Sequence, residues 1–66
     1  MQHYITLTNS ELDVLISEKI HSQRDREIMR MKLIDGFTAE KTAEIMQMSS
    51  VQIYRIIKRC KKLIEN

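Results

Sequence analysis

The residues best placed to do chemistry lie near the end of the chain. Residues 50–66 carry Arg55, Lys58, Arg59, Lys61 and Lys62 against Glu65 alone. Residues 1–49 carry six Lys/Arg and eight Asp/Glu, so the balance moves from −2 in the first part to +4 in the last. A net charge of only +2 hides this asymmetry. Cations concentrated in one segment suit a polyanion, although a solvated helix end would carry the same block. Catalytic sets are missing. There is no nucleophile with a base beside it, no pair of carboxylates and no glycine-rich phosphate loop, which points away from an enzyme. Cys60, His3 and His21 lack the close paired spacing of a zinc site, and a single cysteine closes no internal disulfide. No cofactor or metal is expected.

The elements that position these cations can be read from periodicity. The chain has 66 residues, no proline and one glycine, which favours helices joined by tight connections in one small domain. Successive side chains turn by about 100° around a helix axis. On a helix over 50–64, Ile53, Ile57, Cys60 and Ile64 therefore share one side, with Ile56 and Leu63 on its flank. Val51, Arg55, Lys58 and Lys62 share the other, with Tyr54, Lys61 and Arg59 at the margins. Ser49 precedes this helix and Gln52 stands three residues on, the pattern of a capping box. Cys60 is expected inside the core as a small apolar residue, and the five methionines as core filling.

Three further helices are expected, over 10–21, 25–35 and 39–46, which makes the fold class all-α. The first is capped by Asn9 or Ser10, buries Leu12, Leu15, Ile16 and Ile20, and turns Glu11, Asp13 and Glu18 to water. The second places Ile28, Met31 and Ile34 on one stripe, widened by Met29 and Leu33. It stops at Gly36, which suits the left-handed conformation that ends helices. Thr38 caps the third, with Ala43, Ile45 and Met46 as its apolar members. Residues 1–8 alternate weakly and read as an extended arm. Its role is either a strap over the core or an arm that reaches a groove or pairs a dimer.

Two surfaces compete for a helix that is apolar on one face and cationic on the other. It can lie on an anionic membrane or enter the DNA major groove. In so small a domain the apolar stripe is needed as core, and the preceding helix and turn supply a scaffold that a membrane helix does not require. No apolar run approaches the roughly 18 residues needed to cross a bilayer. The lone thiol and the absence of a signal peptide point to a cytoplasmic protein.

Residues 38–57, TAEKTAEIMQMSSVQIYRII, resemble a helix-turn-helix. Ala43 is the small residue where the two helices touch, Met46 and Met48 supply the apolar positions that follow, and Ile53 and Ile56 face the first helix. Residues 26–38, REIMRMKLIDGFT, resemble the lead-in to region four of the bacterial sigma-70 family. Response regulators of the LuxR type share much of the pattern. The likeness covers about residues 25–63. Gln47 stands where the turn glycine is usual, which leaves that backbone either avoiding the left-handed conformation or slightly strained. Lys41-Thr42 replaces the usual Glu-Ile pair, which weakens local packing. Because no other sigma domain is present, the resemblance implies a free-standing region-four-like protein of phage or mobile-element type.

That resemblance implies a sequence-specific reader of double-stranded DNA and a transcription regulator, with the helix over 50–64 in the major groove. Base contacts would come from Ser50, Val51, Gln52, Tyr54 and Arg55. Val51 suits a thymine methyl and Arg55 a paired hydrogen bond to guanine. Gln52 suits adenine, unless it only closes the capping box. Lys58, Arg59, Lys61 and Lys62 would meet phosphates, joined by Thr38 and Lys41 from the start of the third helix. A homodimer would match half-sites about 34 Å apart. The first helix is the candidate dimer surface, with Leu15 and Ile20 as spare apolar residues; if it only completes the core, the chain is a monomer. The alternative is a protein-interaction module that mimics region four and binds RNA polymerase or another transcription protein.

Overall fold

The computed structural model describes residues 7–65. The extended arm expected over 1–8 therefore lies almost wholly outside the described residues. Four helices follow in order: α1 Asn9–Lys19, α2 Gln23–Leu33, α3 Ala39–Met46 and α4 Ser50–Glu65. No strand occurs among the described residues, so the fold is all-α. No helix among them is long and apolar enough to cross a membrane.

Local chemistry sets each helix start. Thr8, not Asn9 or Ser10, caps α1: its Oγ1 accepts the Glu11 N–H at 3.2 Å, and Glu11 Oε1 accepts the Thr8 N–H at 3.0 Å. The Thr8-x-x-Glu11 pair satisfies two otherwise orphaned amides at once, which neither neighbour can match. Ser22 likewise starts α2 earlier than expected, its Oγ accepting from the Asp25 N–H at 3.3 Å. Thr38 caps α3 as expected, accepting from the Lys41 N–H at 3.0 Å. The Ser49–Gln52 box at the head of α4 forms in both directions, at 3.2 and 3.1 Å.

The helix ends depart further from expectation. α1 stops at Lys19, because Ile20 turns to extended backbone and drops into the core, 1% exposed. Arg26 makes that early stop tolerable: its guanidinium donates to the Ile20 carbonyl and, at 2.9 Å, to the Ser17 carbonyl. α2 ends at Leu33, two residues short, ahead of Gly36 at φ +73°. Gln47 at the end of α3 is left-handed too, at φ 56° and ψ 45°. Gln47 therefore adopts the left-handed conformation despite carrying a side chain. The Met48 N–H bonds the Ala43 carbonyl at 3.0 Å and the Gln47 N–H the Glu44 carbonyl at 3.3 Å, the paired pattern that closes a helix end.

α2 touches each of the other three helices. Ile16 and Ile20 from the α1 side, Ile28 and Met29 from α2, and Ile53 and Cys60 from α4 are fully buried, with Leu12, Ala39, Ala43, Ile56, Ile57 and Ile64 completing the core. Each such aliphatic contributes roughly 1.5–3 kcal/mol by leaving water. Leu15, Leu33, Ile34, Met46 and Met48 pack half-buried against it, and Met31 is half-buried as well. Three residues depart from expectation. Ile45 is exposed, and α3 buries Ala39 and Thr42 in its place. The Thr42 hydroxyl donates to the Thr38 carbonyl at 2.9 Å, so it is buried without an unsatisfied group. Ile20 is no spare residue for a dimer, since the core consumes it.

Candidate nucleic-acid interface

α4 presents the cations because its other face is committed to the core. Ile53, Ile56, Ile57, Cys60 and Ile64 are buried, while Val51, Gln52, Tyr54, Arg55, Lys58, Arg59 and Lys62 are exposed and Ser50 and Lys61 half-exposed. Leu63 stays exposed on the flank. No carboxylate among the described residues forms an ion pair with Arg55, Lys58, Lys61 or Lys62. Val51 is 57% exposed beside them, an apolar group on a polar face that no other described residue covers.

Besides Thr38, whose hydroxyl caps α3, four of the expected site residues have intramolecular partners. Gln52 Oε1 accepts from the Ser49 N–H, so paired recognition of adenine, which needs that oxygen, would have to break the cap. The Tyr54 hydroxyl donates to Glu40 Oε2 at 2.9 Å, tying α4 to the first turn of α3. That bond and the carboxylate charge hold the phenol above its ordinary pKa. Glu40 is held below its own, by its backbone amide first and the Tyr54 hydroxyl second. Lys41 pairs loosely with Glu44 at 3.7 Å, both exposed. Arg59 donates to Asp25 Oδ2 on α2, which draws it to the edge of the cationic face.

The structure thus brings Val51, Arg55, Lys58 and Lys62 onto one continuous outward face, with Ser50 half-exposed at the start of the helix, off that stripe. Tyr54 and Lys61 lie on the flank toward α3, where they share a shallow cleft with Lys32, Thr38 and Glu40. Gln52 and Arg59 lie on the opposite flank. Asp25, 5% exposed, is the residue that sequence reasoning passed over. A signal for it exists: Asp25 stands three and four residues before Ile28 and Met29, on the stripe of α2 that faces inward. A buried carboxylate needs partners, and Arg24 and Arg59 supply them.

Cys60 is fully buried, and burial pushes its thiol pKa up, with the Asp25 charge adding to the effect. A thiol in that setting stays protonated and is a poor nucleophile. No group of three or more His, Cys, Asp or Glu side chains among the described residues could hold a metal ion.

Comparison with protein-family models, with curated proteins and with solved structures finds no match to this chain.

Proposed function

We propose that α3, the Gln47–Ser49 connection and α4 form a helix-turn-helix, and that the chain binds double-stranded DNA sequence-specifically with α4 in the major groove. The observation that carries this reading is the outward face of α4, where Arg55, Lys58 and Lys62 have no anionic partner within the described residues. A major groove about 12 Å wide admits one helix, and α4, 16 residues long, stands on the surface with α3 and α2 at its flanks. The buried Ala39 and Ala43 support the reading, because small residues let α3 approach α4 closely.

In this reading Val51 and Arg55 read bases, with Ser50 at the helix start. Lys58, Lys61 and Lys62 meet phosphates, and Thr38 and Lys41 approach the backbone from α3. Gln52 serves the cap. Tyr54 keeps its ring on the α3 flank through Glu40 and touches the groove wall. The biological role that follows is a transcription regulator of the small region-four-like kind.

The test is binding to random-sequence duplex DNA by fluorescence anisotropy over a salt series, with Arg55→Ala and Lys58→Ala combined in one variant. The expected result is steep salt dependence, with the slope of log affinity against log salt reduced by about 0.9 for each phosphate that the variant no longer neutralises. A folded protein that does not bind DNA at low salt overturns the reading. The interaction-module alternative, with RNA polymerase as a partner, then takes its place.

A further inference from the structure

Beside the outward face of α4, on the flank away from α3, lies an open cleft of about 210 Å³ lined by Arg24, Met48, Gln52, Arg55, Ile56 and Arg59. Three of the lining residues are arginines, contributed by two helices that are distant in sequence. Asp25 lies beneath two of them. Its Oδ1 accepts from Arg24 Nε at 3.2 Å, and its Oδ2 from Arg59. The carboxylate is buried, its side chain only 7% exposed, whereas the side chains of Arg24 and Arg59 are 54% and 59% exposed. One hidden anion therefore fixes two visible cations and leaves most of their donors unspent, since each guanidinium carries five.

We propose that Arg24 and Arg59 form a seat for one backbone phosphate of the bound DNA, with Arg55 at its inner edge toward the bases and Asp25 as its positioning residue. This rests on the DNA-binding reading above and extends the interface onto α2, to a residue outside the helix-turn-helix. Three arginines against one carboxylate leave a local excess of two positive charges. The planar fork of arginine matches phosphate oxygens, and a fork already held in place loses little freedom on binding. The position suits a groove wall. Gln52, Arg55, Ile56 and Arg59 follow at positions i, i+3, i+4 and i+7 along α4, so they form one stripe next to the stripe of Val51, Arg55, Lys58 and Lys62, and Arg55 belongs to both. A helix that lies in the groove with the second stripe turns the first toward one sugar–phosphate backbone. Gln52, whose oxygen is spent on the cap, still offers its amide nitrogen at the rim of the same cleft.

A purely structural staple between α2 and α4 is the rival account, and the two separate cleanly. The experiment is a salt series by fluorescence anisotropy on a random-sequence 20-base-pair duplex, using the full chain, Arg24→Gln, Arg24→Lys and Arg30→Gln. Arg30→Gln removes the same charge from the same helix, but Arg30 is matched one-to-one with Asp13 on α1, whereas Arg24 shares Asp25 with Arg59. The expected result is a slope lower by about 0.9 for Arg24→Gln, so that the fall in affinity between 50 and 200 mM salt shrinks about threefold. Arg24→Lys keeps the slope and loses affinity, and Arg30→Gln keeps the slope of the parent chain. Circular dichroism at each salt concentration restricts the comparison to folded protein. If the parent chain binds steeply while Arg24→Gln retains its affinity and slope, or if Arg30→Gln lowers the slope equally, the seat is overturned and the DNA-binding reading stands. If the parent chain does not bind, that reading fails and the seat with it.

Discussion

The two halves of the molecule use the same side chain for opposite ends. In the first half, Arg26 and Arg30 point inward along the chain's own polar groups. Arg26 closes the end of α1 on two carbonyls, and Arg30 joins Asp13 and donates to Ser17 Oγ at 3.2 Å. In the second half, Arg55 and the lysines of α4 meet no carboxylate of the described residues. Count and sign of charge do not separate these roles; partners do. A cation matched one-to-one with a carboxylate, as Arg30 is with Asp13, has little net charge left for a phosphate, whereas Arg24 and Arg59 share a single carboxylate. A cation without a partner keeps its full Coulomb attraction for one, together with the counterions that binding releases.

The largest effect that sharpens this contrast is in the core beneath both halves. Ile28 is fully buried on α2, one of two helices that touch every other. Ile28→Ala is expected to cost about 2–5 kcal/mol, through the apolar burial it forfeits and the cavity it leaves behind. A domain of this size has only a few kcal/mol to lose, so urea unfolding followed by circular dichroism should find the variant largely unfolded at room temperature. Val51→Ala, equally apolar but 57% exposed on α4, is expected to stay within about 0.5 kcal/mol of the parent. Its effect should show in discrimination among DNA sequences.

Next come the arginines and lysines themselves. Arg26→Ala removes charged hydrogen bonds to two carbonyls and is expected to cost about 1–3 kcal/mol of stability, with the salt slope of DNA binding by the folded fraction unchanged. Lys58→Ala with Lys62→Ala should do the reverse. Stability should hold within about 0.5 kcal/mol, and the salt slope should fall by about 1.8, for two phosphates at roughly 0.9 each. If both sets of substitutions moved both quantities, the division of labour between the halves would be gone.

The pattern of the sequence reveals one half more readily than the other. In α4 the apolar residues recur at helical spacing without interruption, and the capping box lies three residues apart, so face, start and burial of Cys60 can all be inferred from neighbours along the chain. The first half is organised by bonds between residues far apart in sequence. The Asp25–Arg59 bond spans 34 residues, and a charged residue on an inward stripe looks like an exposed one until its partner is seen. Arg26 lies six residues from the Ile20 carbonyl it closes, so the early stop of α1 left no local mark. At the start of α1 three adjacent residues are all good caps. Thr8 prevails through Glu11, one residue before the position that Asn9 would have set.

The two left-handed turns extend the comparison to backbone. Gly36 ends the α2 side at φ +73° with open space around the position of a Cβ, whereas Gln47 carries a full side chain at φ 56°. A non-glycine residue there stores strain of about 1–2 kcal/mol, partly offset because glycine would make the unfolded chain more mobile. Gln47→Gly is therefore expected to stabilise the protein by about 0.5–1 kcal/mol in urea unfolding. Gly36→Ala should destabilise by a similar amount from φ alone, since nothing crowds the new methyl.

The smallest effects are carried by two exposed carboxylates, one in each half. Glu11 is held below its ordinary pKa of 4.5 by the Thr8 amide first and the Thr8 hydroxyl second, and Glu40 is lowered by its backbone amide and Tyr54. A carboxyl whose pKa is lowered in the folded state adds stability above its ordinary pKa. That stability fades as pH falls through 4.5 and is gone below the lowered value. Glu11→Gln removes the titration but keeps an acceptor for the cap. Its melting temperature should lie slightly below that of the parent at about pH 6, and the gap should close by about pH 3. Glu40→Gln should show the same closing gap in melting. In addition, because Glu40 stands among Lys32, Tyr54 and Lys61 at the flank of α4, it should bind DNA more tightly than the parent at about pH 7. Glu11→Gln should not. Equal DNA affinities for the two variants would place Glu40 outside the field of the bound backbone and confine the interface to the outward face and opposite flank of α4.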